Sequence, residues 1–333
     1  MIILLTLFAI QRTPDAPWID THGHFGLRGD NAAACVREAL ERMDALKIKT
    51  TVVMPPPLEP DSRGAYDIEK LLDAIKGHEE RFAVLAGGGS LSPMIFEAVR
   101  KGETTEAAKR AFRTKAEELL KKGAVGFGEM AAEHFSLSKD DDHHPYLSAP
   151  PDHPLFLLLA DIAAEHGVPI DLHMEAIERE QPLPSRLKSP PNPKTLAPNI
   201  EAFERLLAHN RKATIVWCHA GWNNTPDRDA ELVGRLLEAH PNLMMNFKIG
   251  PVDSDAASSP IEKGRGIKAA WLKLIEAHPD RFMMGADQFY TAEGERAIGP
   301  RSLEPTATFL AQLPESVRRR IGHDNAAELF GLK

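Results

Sequence analysis

The segment Trp18-Ile-Asp-Thr-His-Gly-His-Phe25 joins a short run of strand character to a His-Gly-His triplet. In an extended chain, side chains two residues apart point to the same side, so His22 and His24 can reach one ion. Gly23 between them leaves that approach uncrowded. The pair alone is a weak signal, because two loop histidines give the same pattern. Its meaning depends on the rest of the chain.

Strand and helix patterns alternate through the rest of the 333 residues. Short β-type runs are separated by amphipathic helical patterns, which is typical of βαβ units around a parallel sheet. Several runs are almost wholly apolar, as expected for strands covered on both faces. We therefore predict a single-domain α/β fold, a (β/α)8 TIM barrel over residues 18–333. Its eight predicted strands are residues 18–20, 50–54, 82–86, 125–128, 169–172, 214–218, 243–247 and 282–285.

Helical patterns lie between these strands and after the last one. Gly167 follows one of them directly and is a predicted C-cap. Two tail helices are predicted to begin at Glu315 and Asn325, with Asn325 as an N-cap. The clearest patterns between strands cover residues 32–46, 155–166, 229–240 and 266–278.

Two long connections interrupt this rhythm, at residues 131–154 and 176–198. Both follow a predicted strand end, the side on which barrel enzymes carry their sites, so we expect active-site loops or lids. The first contains Asp-Asp-Asp-His-His at residues 140–144. We interpret this cluster as a solvated acidic loop, since five adjacent residues cannot all converge on one ion. The run Gly87-Gly-Gly89 is expected to let backbone or substrate approach closely.

Composition narrows the class of protein. Hydrophobic residues make up 43% and charged residues 26%, which suits a globular domain with a sizeable core. The net charge of −8 argues against a nucleic-acid groove. The two cysteines, Cys35 and Cys218, form no C-x-x-C pair, and their number excludes a thiolate zinc site. We expect Cys218 to point into the barrel wall, away from His219. The 14 histidines make imidazole and carboxylate the ligands to consider.

The N-terminal segment, residues 1–17, begins with a ten-residue apolar run that only Thr6 interrupts, Met1-Ile-Ile-Leu-Leu-Thr-Leu-Phe-Ala-Ile10. This run is too short to span a bilayer, and no other stretch approaches a membrane span. Two interpretations stay open: a signal-peptide core that lacks its charged start, or a strand or flap packed on the bottom of the barrel. The first implies a periplasmic or secreted protein, and the second is compatible with a cytoplasmic one.

Metal-ligand residue types stand at the ends of four further predicted strands. Glu129 ends the fourth and His173 the fifth, whereas His219 ends the sixth and Asp287 the eighth. Because the carboxyl ends of parallel strands meet on one rim, we expect these side chains to join the His-Gly-His pair. A scattered surface origin would not place them in this order.

The order of these residues resembles the amidohydrolase superfamily, specifically the amidohydrolase 2 type of metal-dependent hydrolases with a TIM-barrel fold. The closing stretch Ile321-Gly-His-Asp-Asn-Ala-Ala-Glu-Leu-Phe-Gly331 also resembles that family's usual ending, an Asn-Ala-x-x-Leu-Phe helix after the barrel. The resemblance covers nearly the whole chain from Trp18. It implies an enzyme that uses a metal-activated water to cleave a C–N, C–O or P–O bond of a small molecule.

The resemblance also implies roles for individual residues. His22, His24 and Asp287 would hold one divalent ion, most often zinc in this family. His173 would be a further ligand of that ion or of a second one. His219 would bind a second ion or hydrogen-bond the water, and Asp287 would accept the proton of that water as general base. Since the ligands must be neutral imidazoles and ionised carboxylates, we expect activity to fall as the pH drops through about 6.

Glu129 decides between one ion and two. Decarboxylase members of the group use one metal and lack an acid at the fourth strand, whereas related barrels use a fourth-strand acid or carbamylated lysine to reach a second metal. Because Glu129 occupies that strand end, we favour a site for two ions. The alternatives are a metal-dependent, non-oxidative decarboxylase of an aromatic or unsaturated acid, and a metal-binding protein without catalytic activity.

Several other residues are candidates for contact with the small-molecule substrate. Trp222, Asn223 and Asn224 follow the sixth strand, and Lys248 ends the seventh. Arg186, in the proline-rich connection, could meet an anionic substrate, although a solvated loop charge is the simpler interpretation. No membrane span is expected, and a homo-oligomer is compatible with the sequence.

Overall fold

The computed structural model describes residues 13–60, 62, 65–137, 145–222, 224–250, 257–262, 265–295, 299 and 301–332. Its centre is a set of parallel strands, named β1 to β8 in chain order, of which the third and the eighth are each interrupted once. Their bounds are β1 Trp18–Phe25, β2 Ile48–Val53, β3 Phe82–Val84 and Ala86–Gly87, β4 Phe127–His134, β5 Ile170–Met174, β6 Ile215–Ala220, β7 Leu243–Phe247, and β8 Phe282–Met284 and Gln288–Tyr290.

The two interrupted strands close the ring. The first part of β3 pairs with β2 and its second part pairs with β4. In the same way, the first part of β8 pairs with β7 and the second part pairs with β1. The remaining neighbours pair in the order β1–β2 and β4–β5–β6–β7, all of them parallel. The predicted (β/α)8 TIM barrel is confirmed.

Helices cover the outside of this ring. The first, α1, turns Cys35, Val36, Ala39 and Met43 inward, so one apolar stripe is buried against the strands. Gly167 caps α5 in the left-handed conformation that glycine tolerates, as the sequence predicts. The helices are α1 Ala32–Leu46, α2 Ile68–Ala74, α3 Leu91–Lys101, α4 Glu106–Lys121, α5 Pro154–His166, α6 Ile200–His209, α7 Ala230–Ala239, α8 Ala269–Ala277, α9 Leu303–Gln312, α10 Glu315–Arg319 and α11 Asn325–Phe330, with a π-helical turn at Arg320–Asp324.

Some predicted bounds are wrong. The strands β1 and β4 run several residues beyond residues 20 and 128, because their polar ends are buried against neighbouring strands. Gly266–Ile267 is a short strand paired with Ile261–Glu262 rather than the start of α8. Asn325 is not an N-cap, since the π-helical turn continues directly into α11. Its side-chain amide instead donates to the carbonyl of Phe282, 2.7 Å away.

The interior of the barrel is apolar beneath its upper rim. Ile19, Val52, Leu85, Val216 and Met283 pack against one another inside the ring. From α11, Ala326 and Phe330 join this cluster and cover the end at which the strands begin. The opposite end, where the strands finish, is thereby left for polar side chains.

Some segments singled out in the sequence lie outside the barrel or outside the described residues. The apolar run at residues 1–10 and the cluster at residues 140–144 lie outside the described residues. In the part of the chain that the structure describes, no helix has the length and apolar character to cross a bilayer. Short antiparallel pairs join Gln181–Pro182 to Thr195–Leu196 and Leu147–Ser148 to the end of β4.

The glycine run after β3 permits the close backbone approach that the sequence predicts. A Cβ on Gly88 would lie 2.5 Å from the carbonyl oxygen of Pro55 and 2.9 Å from that of Glu129. A Cβ on Gly89 would lie 1.8 Å from the carbonyl oxygen of Tyr66. Backbone atoms of β4 and of the chain after β2 therefore meet the third strand where only hydrogen atoms fit.

We expect Gly88→Ala to lower the free energy of unfolding by about 1–3 kcal/mol, because the backbone carbonyls around it cannot move apart freely. Urea denaturation followed by circular dichroism measures this change. Gly234→Ala in α7 is the matched control, since its Cβ would meet only the flexible Leu274 side chain at 3.3 Å. Equal unfolding midpoints for the two variants would contradict the close approach at Gly88.

Candidate metal centre

The six predicted ligands lie together where the strands end. Two come from β1, and one each comes from β4, β5, the end of β6 and the break in β8. Five of them are buried and His173 is almost so, with 13% of its side chain exposed. The six are His22, His24, Glu129, His173, His219 and Asp287.

The two β1 histidines face each other through their Nε2 atoms, which are 3.1 Å apart. The Nδ1 of His24 lies 2.8 Å from the carbonyl oxygen of Met54, which can only accept a hydrogen bond, so Nδ1 carries the proton. The Nδ1 of His22 lies 3.2 and 3.3 Å from the two carboxylate oxygens of Asp171. Both rings therefore turn an Nε2 lone pair toward one point. Two lone pairs this close repel, so the space between them requires a cation, either a proton or a metal ion.

Carboxylate oxygens complete this first position. Oε2 of Glu129 lies 3.3 Å from the Nε2 of His24, and Oδ1 of Asp287 lies 3.2 Å from the same atom. Two imidazoles and two carboxylates form a mixed nitrogen and oxygen donor set, which suits zinc and similar divalent ions. The residues present therefore fit the metal that the sequence implies.

The carboxylate of Glu129 also faces a second pair of imidazoles. Its Oε1 lies 2.8 Å from the Nδ1 of His173 and 3.2 Å from the Nε2 of His219. One oxygen of Glu129 is thus directed at the β1 pair and the other at the pair from β5 and β6. This arrangement places a single buried carboxylate between two pairs of imidazoles.

The charge states of the carboxylates and imidazoles in this centre depend on one another. Burial raises the pKa of Glu129, but the charge of His22 and hydrogen bonds from His173 and His219 outweigh it and hold that pKa well below its usual range. Burial lowers the pKa of His173, but its contacts with Glu129 and Glu175 raise it to about 9. Negative oxygens therefore stabilise positive charge on the surrounding rings.

Lys248 places a buried positive charge beside Asp287 and lowers the pKa values of Asp287 and His219. Its Nζ forms an ion pair with Oδ2 of Asp287, and both side chains are buried. Burial raises the pKa of Asp287, but the charge of Lys248 outweighs it and keeps the carboxylate ionised. Burial and the same charge lower the pKa of His219 well below its usual range, so this ring is neutral.

Two of the predicted ligands occupy strained backbone conformations. His219 has φ +67° and Asp287 has φ +54°, in the left-handed region that residues with a Cβ rarely adopt. Such conformations cost about 1–3 kcal/mol and are found where a functional site requires them. His219 is the last residue but one of β6, and Asp287 lies in the break of β8, so both side chains are placed at the barrel mouth.

The prediction that Cys218 points into the barrel wall, away from His219, is wrong. The β6–β7 register shifts between Trp217 and Ala220, so neighbouring side chains no longer alternate. The Cys218 sulfur consequently lies within 4.8 Å of ligand atoms of His219 and Glu129 instead of in the barrel wall. Burial raises the pKa of this thiol well above its usual range, so it remains protonated.

A cavity of about 470 Å³ opens above the centre. Its floor includes Glu129, His173 and Asp287, and Lys248 and Trp222 line it as well, with the ammonium 4.7 Å from the indole ring centroid. Its other walls are largely apolar and include Pro56, Pro57, Leu58, Phe135, Leu137 and Phe289.

The remaining predicted substrate residues occupy different places. Arg186 is exposed and donates from Nη2 to the carbonyl oxygen of Asn224, 3.0 Å away, so it contacts the cavity wall from the outside. Asn224 lines the cavity, and its own backbone N–H donates to Glu175 at 2.8 Å. Asn223 lies outside the described residues.

Sequence reasoning missed the polar residues beneath and beside the ligands. Asp171 precedes His173 by two residues on β5, a spacing that could have placed both on one face. Asn246 is a buried amide in the apolar strand β7, which is itself a signal of a specific partner. His134, at the end of β4, also lines the cavity. It carried no signal, because the sequence did not show that β4 continues that far.

Solved structures with similar folds are distant in sequence. An amidohydrolase from Pseudomonas aeruginosa shares 10% identity over 96% of each chain, with a TM-score of 0.45. An amidohydrolase from Mycobacterium avium subsp. paratuberculosis shares 12% identity over 95% of this chain and 100% of that one, with a TM-score of 0.47. A protein described as a metal-dependent hydrolase from Lactobacillus casei shares 11% identity over 96% of each chain, with a TM-score of 0.48.

Family membership rests on the sequence as a whole. No curated protein matches the chain. The sequence profile of the family described as "Amidohydrolase" matches residues 19–332, which spans the barrel and its closing helix. The resemblance drawn from the strand-end residues is confirmed, and the chain belongs to the amidohydrolase family.

Proposed function

We propose that this chain is a metal-dependent hydrolase that cleaves a C–N, C–O or P–O bond of a small molecule. The observation that carries the proposal is the position of Glu129, whose two oxygens face two separate pairs of imidazoles. Family membership and the facing Nε2 atoms of His22 and His24, 3.1 Å apart, support a metal-dependent activity.

The ligands divide into two groups around Glu129. His22, His24 and Asp287 would hold one divalent ion, and His173 and His219 would hold a second, with zinc the ion that this donor set suits best. Such ions lower the pKa of a water molecule and polarise the oxygen under attack. Glu129 would contribute one carboxylate oxygen to each group.

Side chains of the protein would accept the proton, orient the carboxylate and contact the substrate. Asp287 is ionised, so its carboxylate can accept the proton that the attacking water loses. The ammonium group of Lys248 forms an ion pair with Oδ2 of Asp287 and orients that carboxylate at the mouth of the barrel. His219 is neutral and can bind an ion or accept a hydrogen bond. Trp222 and Lys248 would contact the substrate, and Arg186 would support that wall through the carbonyl of Asn224.

Two other functions remain alternatives. A non-oxidative decarboxylase of this group would need one ion and no acid on β4, so the burial of Glu129 between imidazoles supports the hydrolase instead. A metal-binding protein without activity would share the whole ligand set. Turnover of an ester, lactone, amide or phosphoester panel distinguishes it from an enzyme.

Replacing both β1 histidines by alanine should remove bound metal while the barrel stays folded, because both Nε2 donors of one group disappear. Metal content by mass spectrometry and folding by circular dichroism test this. The control is His166→Ala combined with His209→Ala, because these histidines are the C-terminal residues of α5 and α6 and are not predicted ligands. Full metal content in the His22→Ala, His24→Ala variant would contradict the assignment.

Glu129→Ala should reduce the bound metal from two ions per chain to one or none, and should abolish hydrolysis of the substrate panel. Glu133→Ala is the control, because Glu133 is a buried carboxylate on the same strand that is hydrogen-bonded by Ser148 and Tyr146 rather than by a predicted ligand. One tightly bound ion in both the wild type and Glu129→Ala would favour the decarboxylase.

Metal loading should release protons at neutral pH. The pKa of His173 is about 9, so this ring is protonated without metal at neutral pH and must lose its proton to become a ligand. We expect at least one proton per chain at about pH 7.5, where a histidine of pKa about 6.5 would release about a tenth. The contribution of His173 falls toward zero as the pH rises through 9, since the ring is then already neutral.

Calorimetric titration of zinc in two buffers of different ionisation enthalpy counts these protons. Identical binding enthalpies in the two buffers at neutral pH would show that no proton leaves. That result would contradict the charge state derived for His173.

A further inference from the structure

Asn246 is a fully buried amide on β7, directly beneath the candidate metal centre. Its Nδ2 donates to Oδ2 of Asp171, 3.1 Å away, and its Oδ1 accepts from the backbone N–H of His219 at 2.9 Å. Asp171 in turn contacts Nδ1 of His22. One amide therefore connects a histidine of the first ligand group to a histidine of the second.

The orientation of this amide is determined by its partners. A backbone N–H can only donate, so the oxygen of Asn246 must face His219. The NH₂ group then faces Asp171, whose carboxylate must accept from both Asn246 and His22. This arrangement keeps the proton of His22 on Nδ1 and leaves Nε2 free for a cation.

The space around Asn246 allows little other placement. A Cβ on Gly285 would lie 2.5 Å from the Cγ of Asn246 and 2.8 Å from its Nδ2. The backbone at the break of β8 therefore packs directly against the Asn246 side chain, where a further carbon atom would not fit. The amide lies between β5, β6 and β8. It thereby fixes the positions of their ligand-bearing ends relative to one another.

We propose that Asn246 is a positioning residue that couples the two metal positions, an inference that rests on the two-ion site proposed above. It orients His22 through Asp171, and it fixes the strained backbone of His219 through the N–H of that residue. Losing the amide should loosen both ligand groups together. A purely structural amide would affect stability without affecting either group.

Asn242 provides the matched control. It precedes β7 at the opposite end of the strand, it is also buried, and its Nδ2 donates to the carbonyls of Leu207 and Ala213 at 3.1 and 3.0 Å. Asn242→Leu thus removes an amide of the same kind, from the same chain segment, far from the ligands. Any general cost of losing a buried amide appears in both variants.

The experiment compares wild type, Asn246→Leu and Asn242→Leu by chelator-competition titration with zinc, and by the absorption spectrum of the cobalt-substituted proteins. We expect Asn246→Leu to weaken binding of both ions by about 10- to 100-fold and to alter the cobalt spectrum. Asn242→Leu should keep wild-type affinities and spectrum. If Asn246→Leu does not fold, Asn246→Ala, which is too small to clash, takes its place.

The outcomes separate this inference from the proposed function. Wild-type affinities and spectrum in the folded Asn246 variant would overturn the inference alone, and so would weakening of one ion without the other. Equal losses in the Asn246 and Asn242 variants would also overturn it, because the effect would then be general destabilisation. A wild-type chain that binds fewer than two ions would overturn the proposed two-ion site and the inference with it.

Discussion

The centre depends on one interaction, the contact of the Glu129 carboxylate with two pairs of histidines. An ionised carboxylate in a protein interior is costly unless positive charge and hydrogen bonds surround it. Here the rings of His24, His173 and His219 supply those contacts at 2.8–3.3 Å. The pKa values of His22, His24 and His173 are raised, whereas His219 stays neutral. The metal-free centre therefore holds protons on some of its rings that divalent ions would replace.

The barrel makes this contact by ending its strands in unusual ways. β6 loses its alternation at Cys218, and His219 and Asp287 adopt left-handed backbone conformations. Hydrogen bonds beneath the rim compensate for these distortions, among them the one from the backbone N–H of His219 to Asn246. Arg228 has the same effect on β6, since its buried guanidinium donates to the carbonyls of Trp217 and Cys218.

The sequence predicts the barrel because its strands and helices have different periods and each strand lies close to its neighbour in the chain. It also predicts the six candidate ligands, because parallel strands bring their ends to one rim. The side-chain direction of Cys218 was not predictable, since a register shift depends on pairing with β7. The contacts of Asn246 join β5, β6 and β7, and no local pattern records which strands will share one amide.

Anomalous X-ray scattering from crystals of the zinc-loaded chain, at the zinc absorption edge, tests the central claim most directly. The account predicts two peaks at the barrel mouth, one on each side of the Glu129 carboxylate. One peak lies next to His22 and His24, and the other next to His173 and His219. A single peak that Glu129 does not contact, or no peak among these residues, would contradict it.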